Sequence, residues 1–98
     1  MKSRYVLSPE AAADLFSIWQ YIKQQTSLEM ADRVEAVIRE RIVFLARNPD
    51  AGHWRKDITN EAVRFFPVYS HLIVYRPDTK PLQVVDDPAR PPRRRGDS

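Results

Sequence analysis

The sequence contains no cysteine and no long run of apolar residues in its 98 positions. The missing cysteines exclude a disulfide-stapled scaffold, a cysteine-ligated zinc site and thiol catalysis. No apolar run approaches the roughly 18 residues that a membrane-spanning helix needs, and no apolar signal core precedes Pro9. We therefore expect a cytoplasmic protein without a membrane segment. A chain of this length has room for one hydrophobic core, so we expect a single domain.

Residue types that commonly build cofactor sites are scarce. Only Gly52 lies in the body of the chain, so a glycine-rich phosphate loop is absent. The only histidines are His53 and His71, and neither belongs to a cluster with metal-ligand spacing. We expect no metal and no cofactor. The net charge of +3 permits an anionic partner without demanding one.

Two helices are predicted in the first half of the chain. Ser8 and Pro9 favour a helix start, because serine caps free N–H groups and proline fits the first turn. Thr26 begins a capping-box pattern with Glu29, which predicts a second helix that ends at Asn48. Because the link is only a few residues long, we expect an antiparallel helix hairpin. The apolar stripes are Ala12, Leu15, Ile18, Trp19 and Ile22, then Met30, Val34, Val37, Ile38, Ile42 and Leu45.

Strands are predicted on both sides of the helices. Residues 3–7 form a short β-type segment, and residues 48–60 form a loop. Beyond this loop the apolar period changes to two, which predicts strands at 62–68, 70–76 and 81–85. The apolar side of such a sheet needs a cover, and the helix hairpin is the only candidate. We expect an α+β fold of order β-α-α-β-β-β, with the hairpin on a small antiparallel sheet whose opposite side is offered to another macromolecule.

The segment from Asp86 onward differs in composition from the rest. It has no apolar residue larger than alanine, and it contains Pro88, two further prolines and the run Arg93-Arg94-Arg95. Such a segment cannot join a core. We therefore predict a folded domain over residues 1–85 and a disordered Pro/Arg-rich tail over residues 86–98.

Cationic residues gather in the loop before the sheet and on the strands. Arginines on a sheet face beside an aromatic ring suit a phosphodiester and a stacked base. The same residues also suit solvent-facing positions of a half-buried sheet, and the pattern alone favours this simpler interpretation. No residue stands out as catalytic. The candidates for target binding are Arg55, Lys56, Arg64, His71, Tyr75 and Arg76.

Several short motifs occur in a recognisable order over residues 3–85. They are Leu7-Ser8-Pro9, Asp14-Leu15, Ile18-Trp19, Tyr21-Ile22, Leu45-Ala46, Asn48-Pro49, Gly52, Arg64-Phe65, Pro67 and Ile73-Val74-Tyr75-Arg76. In the order and spacing of these motifs, the chain resembles the ParE/RelE superfamily of type II toxin–antitoxin toxins, and its ParE or plasmid-stabilisation branch in particular. The resemblance implies the same β-α-α-β-β-β order and a small toxin held inactive by an antitoxin from the same operon.

The two branches of this superfamily imply different targets. ParE-type members poison DNA gyrase, which implies growth arrest by binding and not by catalysis. RelE-type members cut mRNA on the ribosome with basic residues and a histidine or tyrosine near the C-terminus. Arg55, Arg64 and Arg76 offer charge for such a cut, but the end of this chain offers arginines, whose pKa is too high for a general acid. We favour gyrase and keep two alternatives, a ribosome-dependent mRNA endoribonuclease and an inactive remnant that only binds antitoxin.

The end of the chain departs from the family pattern. Members continue the last strand into a segment similar to Ile-Leu-His-Gly-Ala-Arg-Asp, whereas here Val85 is followed by Asp86-Asp87-Pro88. A one-base shift in GC-rich codons can convert this ending into one that contains Leu-His-Gly and Arg-Asp. We therefore predict a frameshift near Val85, in the gene or in its sequencing, and the underlying DNA tests it.

Overall fold

The computed structural model describes residues 4–57 and 59–85. The predicted α+β class and the helix hairpin are confirmed, while the predicted tail at 86–98 lies outside the described residues. The elements are β1 (Tyr5–Leu7), α1 (Pro9–Gln25), α2 (Leu28–Arg47), a 3-10 turn (Pro49–Ala51), β2 (His53–Trp54), β3 (Arg64–Val68), β4 (His71–Arg76) and β5 (Leu82–Val85).

Helix α1 begins where the sequence predicts it. The Ser8 hydroxyl accepts a hydrogen bond of 3.0 Å from the Ala11 amide, so it satisfies one free N–H group of the first turn. Pro9 occupies the first turn, where its missing N–H costs no hydrogen bond. The predicted end of α2 is confirmed too, since Asn48 caps it and Pro49 follows.

The start of α2 differs from the prediction by one residue. Its N-cap is Ser27, whose hydroxyl accepts a hydrogen bond of 3.1 Å from the Met30 amide. The prediction that Thr26 caps this helix is wrong, because Thr26 closes α1 and donates its hydroxyl to the Ile22 carbonyl. The chain therefore passes from one helix to the next with one cap residue for each.

The five strands form one sheet in the order β1-β5-β4-β3-β2. Strands β2 to β5 pair antiparallel, but β1 pairs parallel with β5, so the prediction of an antiparallel sheet is wrong at this edge. Parallel strands need a long crossover connection, which the helix hairpin and the strands that follow it supply. Strand β2 falls in the predicted loop at 48–60. Two residues are too few to show an alternating pattern.

The main core lies between the helix hairpin and one face of the sheet. The predicted stripe of α2 is confirmed at Ile38, Ile42 and Leu45, all buried. In α1 the buried alanine is Ala11 and not the predicted Ala12, which is exposed. The buried members of this core are Ala11, Leu15, Ile38, Ile42, Leu45, Val68, Ile73, Tyr75, Leu82 and Val84.

A second, smaller cluster lies on the other side of the sheet. Val63, Phe65 and Val74 are each 2% exposed, and Val85 packs against them. Side chains alternate between the two faces along a strand. Strands β3 and β4 therefore bury apolar side chains on both faces, and the centre of the sheet is apolar on its far side as well.

Candidate functional site

One row of side chains crosses the sheet and brings two of the predicted residues together. Trp54 lies opposite Arg64, Arg64 opposite Tyr75, and Tyr75 opposite Val84. Residues directly opposite each other on neighbouring strands project to the same face. Tyr75 and Val84 belong to the core beneath the helices. The row therefore lies on the helix side of the sheet, and the expectation that Arg64 and Tyr75 line an open face is corrected.

Tyr75 is fully buried and holds the turn that follows α2. Its hydroxyl accepts a hydrogen bond of 2.8 Å from the Gly52 amide and donates one of 2.7 Å to the Pro49 carbonyl. Burial raises the pKa of Tyr75 above its ordinary value, so the phenol keeps the proton that it donates. With no exposed surface, this side chain positions the turn and offers no contact to a target in this conformation.

Arg64 holds the same turn from the neighbouring strand. Its Nη1 donates hydrogen bonds to the carbonyl oxygens of Gly52 at 2.8 Å and Asp50 at 3.2 Å. The carboxylate of Asp50 lies 3.7 Å from Nη2 but is 94% exposed, which makes this a weak ion pair. Arg64 therefore directs its donors mainly to the protein's own backbone. Its Nε is buried without a hydrogen-bond partner in the part of the chain that the structure describes.

Trp54 is the exposed end of this row. Its side chain is 43% exposed on β2, one of the two edge strands of the sheet. The guanidinium carbon of Arg64 lies 4.4 Å from the indole centroid, and Nζ of Lys56 lies 5.3 Å from it. Both distances are within the range of cation–π interactions. We call Trp54, Arg55 and Lys56 the edge surface, because they present an indole and positive charge at this border of the sheet.

The remaining candidates lie on different surfaces. Arg55 donates hydrogen bonds of 3.1 and 3.0 Å to Asp57, and this contact holds the pKa of the exposed Asp57 carboxyl below its usual range. Arg76 projects to the face opposite Tyr75, since successive strand residues alternate. His71 lies at the other end of β4 and is half-buried. The structure therefore does not bring the six predicted residues into one site.

A separate cavity opens between α1 and the turn that joins β3 to β4. Its volume is about 480 Å³, and we call it the turn cavity. Tyr21 of α1 and Tyr69 of the turn both line it and are 65% and 63% exposed. A smaller cavity of about 240 Å³ adjoins it and reaches between the helices and the sheet. The turn cavity is lined by Asp14, Ser17, Ile18, Tyr21, Ile22, Val34, Tyr69, Ser70 and His71.

The described residues offer hydrogen bonds, ion pairs and apolar surface for binding. Within residues 4–57 and 59–85, no group of three or more histidine, aspartate or glutamate side chains is placed to hold a metal ion. No helix in this part of the chain is long and apolar enough to cross a membrane.

Comparison with known families identifies the family of this chain. Residues 5–93 match the family model described as ParE toxin of type II toxin-antitoxin system, parDE. The chain belongs to the ParE toxin family. No curated protein matches the chain significantly. ParE toxins pair with a cognate antitoxin, so this ParE toxin is one half of a two-protein system.

The family match confirms the resemblance predicted from the sequence and extends beyond the described residues. It runs to Arg93, past the predicted domain boundary at residue 85. The match does not test the predicted frameshift. Both the domain boundary and the frameshift stay predictions for this ParE toxin.

Sequence reasoning missed two residues and one contact that the structure makes prominent. Trp54 was present in the basic segment His53-Trp54-Arg55-Lys56, so an aromatic residue within a cationic loop was a usable signal. Tyr69 lies in a two-residue turn that contains no glycine, and the sequence itself shows this unusual composition. The contact between Tyr75 and Gly52 joins residues on different elements, and no local pattern in this ParE toxin indicates it.

Proposed function

We propose that this ParE toxin arrests growth in the cytoplasm by binding and inhibiting DNA gyrase, and that its antitoxin neutralises it, as in plasmid stabilisation. The observation that carries the proposal is the internal use of Arg64 and Tyr75. RNA cleavage requires positioned groups that move protons and stabilise a charged phosphate. Tyr75 is buried in hydrogen bonds to the turn, and Arg64 donates to backbone carbonyls. Binding to a protein target requires neither group to be free.

The edge surface is the proposed contact with the target. Trp54 offers an exposed indole, a residue type that often dominates the energy of protein interfaces. Lys56 places positive charge beside it, while Arg55 is paired with Asp57, and this charge suits an acidic patch on a larger protein. His71 and Arg76 stay candidate contacts on the other surfaces described above.

A supercoiling assay with purified toxin and DNA gyrase tests this proposal. Wild-type toxin is expected to inhibit supercoiling, and Lys56→Glu is expected to weaken inhibition because it reverses a charge beside Trp54. Lys23→Glu is the matched control, since Lys23 lies 5.1 Å from the Trp19 centroid in the same cation–π arrangement on α1. Equal inhibition by both variants contradicts a role for the edge surface, and no inhibition by wild type contradicts the gyrase proposal.

Cleavage of ribosome-bound mRNA is the second candidate, and Trp54 is the observation that favours it. An exposed indole flanked by cations can stack a base and hold its phosphate. Expression without antitoxin separates the candidates. Growth arrest with a DNA-damage response and intact mRNA supports gyrase, whereas rapid loss of translated mRNA supports cleavage. Normal growth with retained antitoxin binding supports an inactive remnant.

The turn cavity is the proposed docking site for the antitoxin. It is apolar over much of its lining and adjoins the main core, and the toxin's net charge of +3 suits an acidic partner. Ser17 is exposed and lines the cavity, so Ser17→Arg fills the cavity without disturbing the core. Gln20→Arg places the same side chain elsewhere on the exposed surface of α1. Only Ser17→Arg is expected to abolish binding of the protein encoded by the adjacent reading frame, measured by calorimetry.

A further inference from the structure

The backbone of Tyr69 adopts a conformation that tyrosine disfavours. Val68 and His71 pair across the hairpin, so Tyr69 and Ser70 form a two-residue turn. Tyr69 has a φ of 55°, the only positive φ of a non-glycine residue in the part of the chain that the structure describes. At the first central position of such turns glycine is favoured, and asparagine tolerates this region better than a bulky side chain. Tyrosine at this position therefore carries backbone strain.

The fold does not compensate for this strain. The side chain of Tyr69 is 63% exposed. Within the described residues, its ring stacks on no other ring and its phenol makes no hydrogen bond. Residues held in strained conformations persist where the surrounding structure or a function requires them, and they cluster at binding sites. No hydrogen bond or ring contact of Tyr69 within the described residues therefore offsets this strain.

The position of Tyr69 indicates which kind of contact its ring can make. Tyr69 lines the turn cavity from the hairpin, and Tyr21 lines it from α1. Two exposed phenol rings beside an apolar cavity provide large contact area at a small cost in side-chain entropy. Ile18 and Val34 supply apolar lining for the same cavity. An apolar side chain of a partner that enters there contacts both rings.

From this we infer that Tyr69 is a specificity-determining anchor for the antitoxin, kept at the expense of turn stability because its ring contacts an apolar side chain of the antitoxin in the turn cavity. The inference rests on the proposed antitoxin docking site. It adds that one strained residue, and not the cavity alone, determines which antitoxin this toxin accepts. Tyr69 acts through its ring and not through its hydroxyl.

The experiment compares stability and affinity in the same variants. Tyr69→Asn removes the ring and suits the positive φ, so its thermal midpoint is expected to rise by about 4 °C. Its dissociation constant for the protein encoded by the adjacent reading frame is expected to weaken by at least about tenfold. Tyr69→Phe keeps the ring, so affinity is expected to stay within about twofold. Phe16→Ala, which removes a 57% exposed ring outside the cavity, is the control and is expected to leave affinity unchanged.

The outcomes separate this inference from the docking proposal. If Ser17→Arg blocks binding while Tyr69→Asn binds like wild type, the cavity is the docking site and the anchor inference is wrong. If both variants bind like wild type, the docking site is wrong as well. A lower thermal midpoint for Tyr69→Asn contradicts the strain argument. A loss of affinity in Tyr69→Phe equal to that in Tyr69→Asn contradicts the role of the ring.

Discussion

The amide of Gly52 donates a hydrogen bond of 2.8 Å to the hydroxyl of Tyr75, a residue on the fourth strand of the sheet. A Cβ atom added at Gly52 would collide with that hydroxyl and lie 2.8 Å from Cε1 of the same ring. The turn after α2 thus approaches the tyrosine closely enough to exclude any side chain at this position. One glycine and one tyrosine together fix where the chain enters β2, and with it the position of Trp54.

Replacement of Gly52 by alanine tests this close approach. Gly52→Ala is expected to destabilise the toxin by about 1–3 kcal/mol, because the new methyl group forces Tyr75 or the turn to move. Chemical denaturation measures the change. Ala51→Gly is the control one residue away, where a methyl group is removed and none is added. A Gly52→Ala variant as stable as wild type would contradict the prediction, because it would show that the Tyr75 ring moves aside with no loss of stability.

Removal of the Tyr75 hydroxyl tests its two hydrogen bonds. Tyr75→Phe leaves the Gly52 amide and the Pro49 carbonyl without this partner, so a loss of about 1–3 kcal/mol is expected. Tyr21→Phe removes a hydroxyl from a 65% exposed side chain and is expected to change stability by less than about 0.5 kcal/mol. Equal stabilities of the two variants in urea denaturation would contradict the role assigned to Tyr75.

The raised pKa of Tyr75 predicts a loss of stability in alkaline solution. The unfolded chain releases the phenolic proton at the ordinary value of 10.0, whereas burial raises the pKa of this group in the folded protein. The contribution of this phenol to the free energy of unfolding is therefore fully present below pH 10. It is lost as the pH rises through the pKa of Tyr75 in the folded protein. The free energy of unfolding, followed against pH, is expected to fall more steeply in wild type than in Tyr75→Phe. Identical slopes would contradict the prediction.

Arg64 and lysine are not equivalent at the turn. Arg64→Lys keeps the charge but removes the guanidinium whose Nη1 donates to both carbonyl oxygens, and it weakens the contact with Trp54. A destabilisation of about 1–2 kcal/mol is expected, with a shift of the Trp54 indole resonance in the NMR spectrum. Arg55→Lys alters an exposed ion pair and is the control. An unmoved indole resonance in Arg64→Lys would contradict the assigned contact.

The helix caps give a direct test of the junction between α1 and α2. Ser27→Ala is expected to cost about 1 kcal/mol, because the Met30 amide loses its hydrogen bond. Thr26→Ala removes only a hydroxyl bonded to the Ile22 carbonyl, which already accepts a bond from the Thr26 amide, so a smaller cost is expected. The reverse order of costs would restore Thr26 as the cap that the capping-box pattern predicts.

Much of the fold could be predicted from the sequence because the residue patterns that indicate it are local. The cap at Ser8, the end of α2 at Asn48 and the apolar period of the helices each depend on residues within a few positions of one another. Strands β3 and β4 could equally be predicted, because apolar residues recur there with a period of two. Thr26 and Ser27 show the limit of such signals, since two adjacent capping residues leave the boundary open to one residue.

The candidate site was harder to predict from the sequence because it depends on contacts between residues far apart in the chain. Arg64 and Tyr75 were both among the predicted candidates, yet which face they occupy depends on the side of the sheet that the helices cover. Apolar residues occur on both sides of β3, so alternation alone does not assign that face. The parallel pairing of β1 leaves no local trace in the sequence either.

That pairing joins the two ends of the described chain within one sheet. Tyr5 pairs with Leu82, so β1, the first strand of the described residues, has no neighbour until β5, the last of them, is synthesised. Contacts between such distant segments form slowly, because the intervening chain must be ordered first. A nascent chain that stops short of β5 leaves β1 unpaired and β4 open along one edge. The five-stranded sheet thus closes only in a chain that has been synthesised through β5.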